Sequence, residues 1–314
     1  MAWVTWRLHR PQLLAAAGLV AAIAVLALAT SLPIRDAYHR QALSSCLPPA
    51  AQPDCDLIVS HLRAEFGNRA DAARYLVLLP ALALLLGAPA LAREFEGGTF
   101  RLAWTQGITR RRWLLLRTLL LAGAVVVAAA ALAAVGAWWR VPFDHVDGRI
   151  APHGFDVEGP VVAAYAVFAL ALGVLAGVAL RRSLAAISVA GAVFVATRVG
   201  VEKLLRPRYL PPLHRSTAGV ADAAHARDWI LDNAIVDAAG RRITSAREDV
   251  AVVHAQQAGI DAQQYLSSLG WRRVIAFQPD GRFWTFQLIE AAIFVALAAV
   301  AVAAAVALLR RRTA

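Results

Sequence analysis

Lysine is almost absent from this 314-residue chain, where Lys203 is the only one. A Walker-type loop needs a lysine directly after glycine, because that side chain reaches the β- and γ-phosphates of a nucleotide. Lys203 instead follows Val201-Glu202, with no glycine-rich loop before it. The sequence therefore excludes an ATP site of this type, and no cofactor is assigned to the chain itself.

Catalytic motifs are missing as well. There is no His-Glu-x-x-His zinc motif and no Gly-x-Ser-x-Gly nucleophile turn. His145 and His153, with Asp144 and Asp147, could form a metal site, but a solvated acidic loop explains them more simply. No polar catalytic cluster lies within the apolar segments, so we predict neither a metal site nor an enzyme.

Polar residues are scarce, since 59% of the chain is hydrophobic and soluble proteins contain about 45–50% apolar residues. The excess falls in blocks of about 20 residues, the length of a helix that crosses about 30 Å of hydrocarbon. The sequence thus predicts an all-α polytopic membrane protein with six transmembrane helices. The predicted spans are 11–33, 74–92, 113–139, 160–180, 183–201 and a sixth that begins at 284 and ends near 309.

The first of these spans could instead be a signal peptide, because Ala27-Leu28-Ala29 resembles a cleavage site. The uncharged run from Pro11 to Ile34 is longer than the 7–15 residues usual for such a peptide. We therefore expect a retained span that begins at Pro11, preceded by a short amphipathic segment at the membrane surface.

The longest polar region, 202–283, is predicted to be a small extracytoplasmic α+β cap between the fifth and sixth spans. Trp229, Val236 and Gly240 fit a short hairpin, and 245–269 has helical spacing with Ser245 as its N-cap. A short extended segment over 274–277 should end at Pro279. The domain organisation is therefore 1–201 in the membrane, 202–283 in the cap, and 284–314 as the last span and tail.

Cysteine occurs twice, at Cys46 and Cys55, in the polar loop that follows the first span. If that loop is extracellular, a disulfide between them is plausible. Two unpaired thiols are the alternative.

Positive charge is distributed unevenly along the chain. With six spans and both termini on one side, the segments on that side hold 13 basic and two acidic residues, and the rest of the chain holds 19 of each. Short basic loops face the cytoplasm. We therefore place both termini and the stretch 92–117 in the cytoplasm of a multi-pass cell-membrane protein, and the net charge of +11 does not indicate nucleic-acid binding.

Three charged residues lie near or within predicted spans, namely Arg198, Glu202 and Glu290. Arg198 and Glu202 are four residues apart and so share one helix face. Charges at such depth are costly unless they are paired or face water. They could line a translocation path or form a structural ion pair, and the sequence does not decide between these interpretations.

The stretch 92–117 also carries a recognisable motif. It begins Arg93-Glu94-Phe95-Glu96-Gly97-Gly98-Thr99 and continues through Trp104-Thr105-Gln106 to Thr109-Arg110. This motif resembles the cytoplasmic loop of ABC type-2 transporter permeases, particularly an actinobacterial branch. Thr5-Trp6-Arg7, Gln278-Pro279, Arg282-Phe283-Trp284 and Ile289-Glu290 match the same family.

The resemblance implies a permease subunit of an exporter that works with ABC ATPase subunits and a second identical or related permease. ATP and Mg²⁺ would be bound by the ATPase partner. Residues carried over to the ATPase-coupling role are Arg93, Glu94, Glu96, Gly98, Thr99, Trp104, Thr105, Gln106 and Arg110. Many relatives have a proline before the basic residue of this loop, whereas this chain has Gln106-Gly107-Ile108. The alternative is a stand-alone membrane sensor or immunity protein whose extracytoplasmic domain binds a ligand.

Overall fold

The computed structural model describes residues 2–40, 60–61, 64–65, 83–84, 86–89, 92, 96, 109–217 and 227–311. Five long helices lie in this part of the chain: α1 (Ala2–Arg40), α2 (Arg110–Asp147), α4 (Pro160–Leu180), α5 (Ser183–Gly200) and α8 (Phe283–Arg311). Each contains a segment long and apolar enough to cross a membrane. The predicted second span, 74–92, falls mostly outside the described residues, so the count of six spans stays a prediction.

Helix α4 forms the centre of the bundle, and its bounds agree with the predicted fourth span. Most of it is buried, because α2, α5 and α8 all pack around it. A fourth neighbour is the segment 86–89, which approaches α4 closely enough that a Cβ on Gly173 would lie 2.8 Å from the Ala88 nitrogen. Glycine at this position thus allows direct contact between backbones.

The bundle has two chemically different ends. At one end the start of α2 and the last turns of α4 and α8 share an apolar cluster that includes Leu114, Val178 and Leu309. Arg111, Arg182 and Arg311 lie at this end, which we call the arginine end. The opposite end carries a three-stranded sheet, and we call it the sheet end.

Helix α1 is longer than the predicted 11–33. Neither Pro11 nor Pro33 ends it, and the segment before Pro11 is part of the same helix. Its last turns extend past Pro33 because they pack on α2: the Arg35 guanidinium donates to the Trp138 carbonyl at 2.7 Å and lies 4.3 Å from the centre of the Trp138 ring.

Two further spans extend beyond their predicted ends. Helix α2 continues past residue 139 to Asp147, so the first part of the segment between the predicted third and fourth spans is helical. Helix α5 continues as a π-helical turn, Val201–Leu205, and a 3₁₀ turn, Arg206–Arg208. In both helices the buried charged residues have partners inside the protein, such as Asp144 for Arg140 and Glu290 for Arg206, and therefore do not end the helix.

Between α2 and α4 lies a single helical turn, α3 (Pro152–Phe155). Gly148 allows the chain to leave α2 with φ of 72°, and a Cβ there would lie 2.0 Å from the Arg227 carbonyl oxygen. The predicted sixth span, 284–309, agrees closely with α8.

The small sheet consists of β1 (Leu213–Thr217), β2 (Trp229–Val236) and β3 (Arg272–Gln278), antiparallel in the order β1-β3-β2. The predicted hairpin is present only as the turn around Gly240, where Val236 bridges Arg242, and β2 pairs mainly with β3. The predicted extended segment before Pro279 is β3, whereas β1 had no sequence prediction.

The predicted helix 245–269 is two helices, α6 (Ser245–Gln257) and α7 (Ala262–Ser268). Gly259, with φ of 66°, breaks the chain direction between them, and Asp261 accepts a hydrogen bond from the Gln264 amide at 2.9 Å to cap α7. The N-cap of α6 is Thr244, and the prediction of Ser245 was therefore one residue late.

Candidate functional site

A network of buried charges joins three spans at the sheet end. Its members come from distant parts of the chain: Asp156 after α3, Tyr165 in α4, Arg198 in α5, Arg206 beyond α5, and Glu290 in α8. Asp156, Tyr165, Arg198, Arg206 and Glu290 are all less than 9% exposed. This set is called the ion network below.

Arg206 is the centre of the ion network. Its guanidinium contacts Glu290 twice, with Nε 2.8 Å from Oε2 and Nη2 2.7 Å from Oε1. Nη2 also lies 2.6 Å from Oδ1 of Asp156, and the group stacks 4.2 Å from the centre of the Phe155 ring. A planar fork of donors suits this two-point binding of a carboxylate.

Arg198 provides the second positive charge. It forms an ion pair with Asp156, and its Nη1 lies 3.8 Å from Oε1 of Glu290. The same Nη1 lies 3.4 Å from Oε2 of Glu202, so the two residues do share one helix face. The guanidinium lies 4.6 Å from the centre of the Tyr165 ring.

Two tyrosine hydroxyls bind the carboxylates of the ion network, that of its member Tyr165 and that of the neighbouring Tyr209. Tyr165 hydrogen-bonds Glu290 and lies 3.3 Å from Oδ1 of Asp156, and Tyr209 donates to Oε2 of Glu290 at 3.0 Å. Burial raises the pKa of the Tyr209 hydroxyl, and the Glu290 carboxylate raises it further. Burial also raises the pKa of Asp156, although Arg206 and Arg198 act in the opposite direction.

The charges of the ion network balance, with Arg198 and Arg206 against Asp156 and Glu290. Glu202 is partly exposed and pairs with Lys203 at 3.1 Å as well as with Arg198. Ionised groups are tolerated away from water only when they are paired and hydrogen-bonded. The geometry is therefore that of a compensated cluster that ties α4, α5 and α8 together.

A second balanced cluster lies beside it. Arg140 lies 3.1 Å from Asp144, one helical turn later, and 3.6 Å from Glu158. Arg149 binds Glu158 at 2.9 Å, and its guanidinium lies 4.2 Å from the centre of the Phe283 ring at the start of α8. This cluster fixes the α2–α4 connection against α8.

The residues of the metal site that was considered and not predicted, His145 and its neighbours, lie in the same region. Asp144 is paired with Arg140, and Nδ1 of His145 lies 3.1 Å from the Tyr38 hydroxyl. Within the described residues, no group of three or more His, Cys, Asp or Glu side chains could hold a metal ion.

Most of the ion network was missed by the sequence reasoning, which named only Arg198, Glu202 and Glu290. Arg206 could have been predicted from the sequence, because Arg198, Glu202 and Arg206 follow one another at four-residue spacing along one helix face. Asp156 and Tyr165 carried no such signal, since Arg206 lies 50 residues from Asp156 and Glu290 lies 125 residues from Tyr165.

At the arginine end, one residue of the predicted coupling loop is placed against a span. The Glu96 carboxylate accepts hydrogen bonds from the Ser183 amide at 2.8 Å and from the Ser183 hydroxyl at 3.0 Å. Ser183 is the first residue of α5, so Glu96 satisfies one of the free N–H groups at this helix start and complements its dipole.

The other proposed coupling residues are less well described. Arg110 begins α2, which Thr109 caps by accepting a hydrogen bond from the Arg112 amide at 3.4 Å. The remaining members of the predicted coupling set lie outside the described residues, namely Arg93, Glu94, Gly98, Thr99, Trp104, Thr105 and Gln106. Cys46 and Cys55 lie outside them as well. Their roles stay predictions.

Comparison with known proteins assigns the chain to a family. No curated protein matches it significantly. The model of the family described as "ABC-2 membrane transporter related" matches residues 17–206, which is more than half of the chain and includes α2, α4 and α5. With several apolar helices long enough to span a membrane, this agrees with the permease resemblance read from the loop 92–117 and does not favour a stand-alone sensor. The chain is a multi-pass membrane protein that belongs to the ABC-2 membrane transporter related family.

Proposed function

We propose that this chain is the permease subunit of an ABC exporter and is driven by separate ATPase subunits that dock on the loop 92–117. The observation that carries the proposal is the contact of Glu96 with Ser183. It joins the loop whose motif resembles a coupling segment to the first turn of a span. Movement of a docked ATPase would therefore reach α5 directly.

Helix α5 connects this contact to the ion network. From Ser183 to Arg206 the chain is helical throughout, and 23 residues at about 1.5 Å each span roughly 35 Å. Arg198 and Arg206 bind Asp156, which lies just before α4, and Glu290 in α8, so a shift of α5 would move both of those helices as well. We therefore assign the ion network the role of holding the spans together, rather than that of lining a path.

The six-span topology is part of the proposal. Thr30 contacts Trp139, and Tyr38 contacts His145, so α1 and α2 run in the same direction. The chain leaves α1 at the sheet end and enters α2 at the arginine end, which supports one further crossing between them. The arginine end would face the cytoplasm, since basic short loops are retained there, and the sheet would be the extracytoplasmic cap.

The partners follow from the same assignment. Two ATPase subunits would bind ATP and Mg²⁺, and a second copy of this chain or a related permease would complete the membrane part. Export as the direction and a disulfide between Cys46 and Cys55 are proposed on the family resemblance and on the predicted location of that loop. The cargo would pass when ATP binding shifts the assembly between two states, which requires contacts that differ between those states.

The orientation can be tested by cysteine labelling in a background with Cys46 and Cys55 replaced by serine. A Ser245→Cys probe in α6 should react with a membrane-impermeant maleimide added to intact cells. A Thr109→Cys probe should react only after the membrane is opened. The reverse pattern would place the arginine end outside the cell and contradict the proposal.

The coupling contact can be tested with Glu96→Gln in the complex with the ATPase. Removal of one charge from the cap of α5 should cost about 1 kcal/mol. We therefore expect the permease-dependent stimulation of ATP hydrolysis to fall about fivefold while the ATPase stays bound. Glu65→Gln, at another exposed glutamate, is the matched control and should leave the stimulation unchanged. Equal stimulation in all three proteins would show that Glu96 transmits nothing.

A further inference from the structure

A groove of about 780 Å³ lies between α2, α4 and α8 and reaches the arginine end. Its floor is formed by buried residues of α4, Leu170 and Ala171. Helices α2 and α8 form the walls, and both pack on α4 but hardly touch each other. Small alanine side chains on the walls, such as Ala122 and Ala303, leave the space open. The volume falls within the range of about 300–1,000 Å³ that is typical of ligand sites.

The groove is at least as deep as one leaflet of a membrane. On α8 its lining runs from Val295 to Arg311, and on α2 from Arg111 to Ala122. At about 1.5 Å per residue these stretches are roughly 24 Å and 16 Å long. Half of the hydrocarbon core measures about 15 Å. A lipid chain that enters beside the arginines would thus have apolar walls over its whole depth.

The mouth of the groove is cationic. Arg111, Arg310 and Arg311 belong to its lining, and all three are exposed. The described lining contains no acidic residue, and Thr118 is its one hydroxyl. Guanidinium groups bind phosphate oxygens with paired donors. The mouth therefore selects for negative charge, while the rest of the groove selects for hydrocarbon.

We infer that this groove binds one anionic phospholipid of the membrane, with its phosphate between Arg111 and Arg311 and an acyl chain along α4. A second copy of the chain is a poorer occupant. A symmetric dimer through this face would bring the same arginines of both copies together, and like charges repel. The inference concerns lipid binding by this chain alone and does not require the proposed ATPase coupling.

The inference can be tested by native mass spectrometry of the purified full chain in detergent, titrated with phosphatidylglycerol and with phosphatidylcholine. The wild-type protein should retain one molecule of phosphatidylglycerol in preference to phosphatidylcholine. A basic residue near a membrane surface contributes about 1 kcal/mol, so Arg111→Gln and Arg311→Gln should each weaken that binding about fivefold. Arg112→Gln is the matched control, because Arg112 is exposed and adjacent but does not line the groove.

A second pair of variants fills the groove without changing its charge. Ala303→Phe should abolish retention of the lipid, whereas Val300→Phe should not, because Val300 is 67% exposed and does not line the groove. Elution volume and thermal unfolding identify any variant that fails to fold. Equal loss in Arg111→Gln and Arg112→Gln, equal retention of the two lipids, or disulfide-linked dimers of an Ala299→Cys variant would each overturn the inference.

Discussion

Replacing Arg206 by methionine is expected to destabilise the protein by about 3–5 kcal/mol, because the change leaves buried carboxylates without their main partner. Glu290 would lose two hydrogen bonds and Asp156 one. Both carboxylates are buried, so water cannot replace the lost contacts. The measurement is the free energy of unfolding of the purified chain in mixed micelles, followed by circular dichroism.

A matched control lies two residues further along the chain. Arg208 is exposed and, among the residues that the structure describes, donates to the Leu204 carbonyl alone, at 3.1 Å. Arg208→Met should therefore change the stability by less than about 0.5 kcal/mol. A double variant, Arg206→Met with Glu290→Met, should recover part of the loss, because it removes both charges of the pair. If Arg206→Met unfolds like the wild-type protein and only transport is lost, the ion network lines a path instead.

Co-purification of the ATPase is expected to be lost in the double variant Glu96→Arg with Trp104→Ala. Tryptophan is among the residues that contribute most to protein interfaces, and truncation of such a residue costs about 2 kcal/mol or more. The arginine at position 96 adds a positive charge at the start of α5, where the helix dipole is already positive. Together these changes should lower the affinity for the ATPase at least about a hundredfold.

The experiment uses a tagged permease expressed with the ATPase, and the ATPase retained on the resin is quantified. A control with the same chemistry is Glu65→Arg with Trp138→Ala, at positions predicted to lie on the opposite side of the membrane. That control should retain the ATPase fully. Full retention by Glu96→Arg with Trp104→Ala would show that the docking surface lies elsewhere.

The central span could be predicted from the sequence, whereas the ends of its neighbours could not. Helix α4 begins after Gly159, at Pro160, and ends before Arg181-Arg182, so the residues at its two ends are sufficient to predict its limits. Helices α2 and α5 continue past polar residues because those residues find partners elsewhere. Glu290, for example, is 84 residues from Arg206. A single sequence gives the cost of burying a charge but not the location of its partner.

The same limit applies to the sheet. The strand β3 contains the apolar run Val274-Ile275-Ala276-Phe277 and was predicted, whereas β1 reads Leu213-His214-Arg215-Ser216-Thr217 and has no apolar pattern of its own. It is a strand because it pairs with β3. By contrast, Glu96 was identified from a local motif, and the structure adds its contact with Ser183, which the sequence did not predict.

The most direct test of the proposed function is the alkylation rate of an Arg182→Cys probe, next to Ser183 at the exposed start of α5. The probe is placed in the serine background described above and reconstituted in vesicles, with and without the ATPase. ATP with Mg²⁺ is expected to change the rate only when the ATPase is present. An ATP-dependent change of the rate without the ATPase, or an unchanged rate with the ATPase bound, would contradict the proposal. Both results would mean that no separate ATPase drives this permease through the loop 92–117.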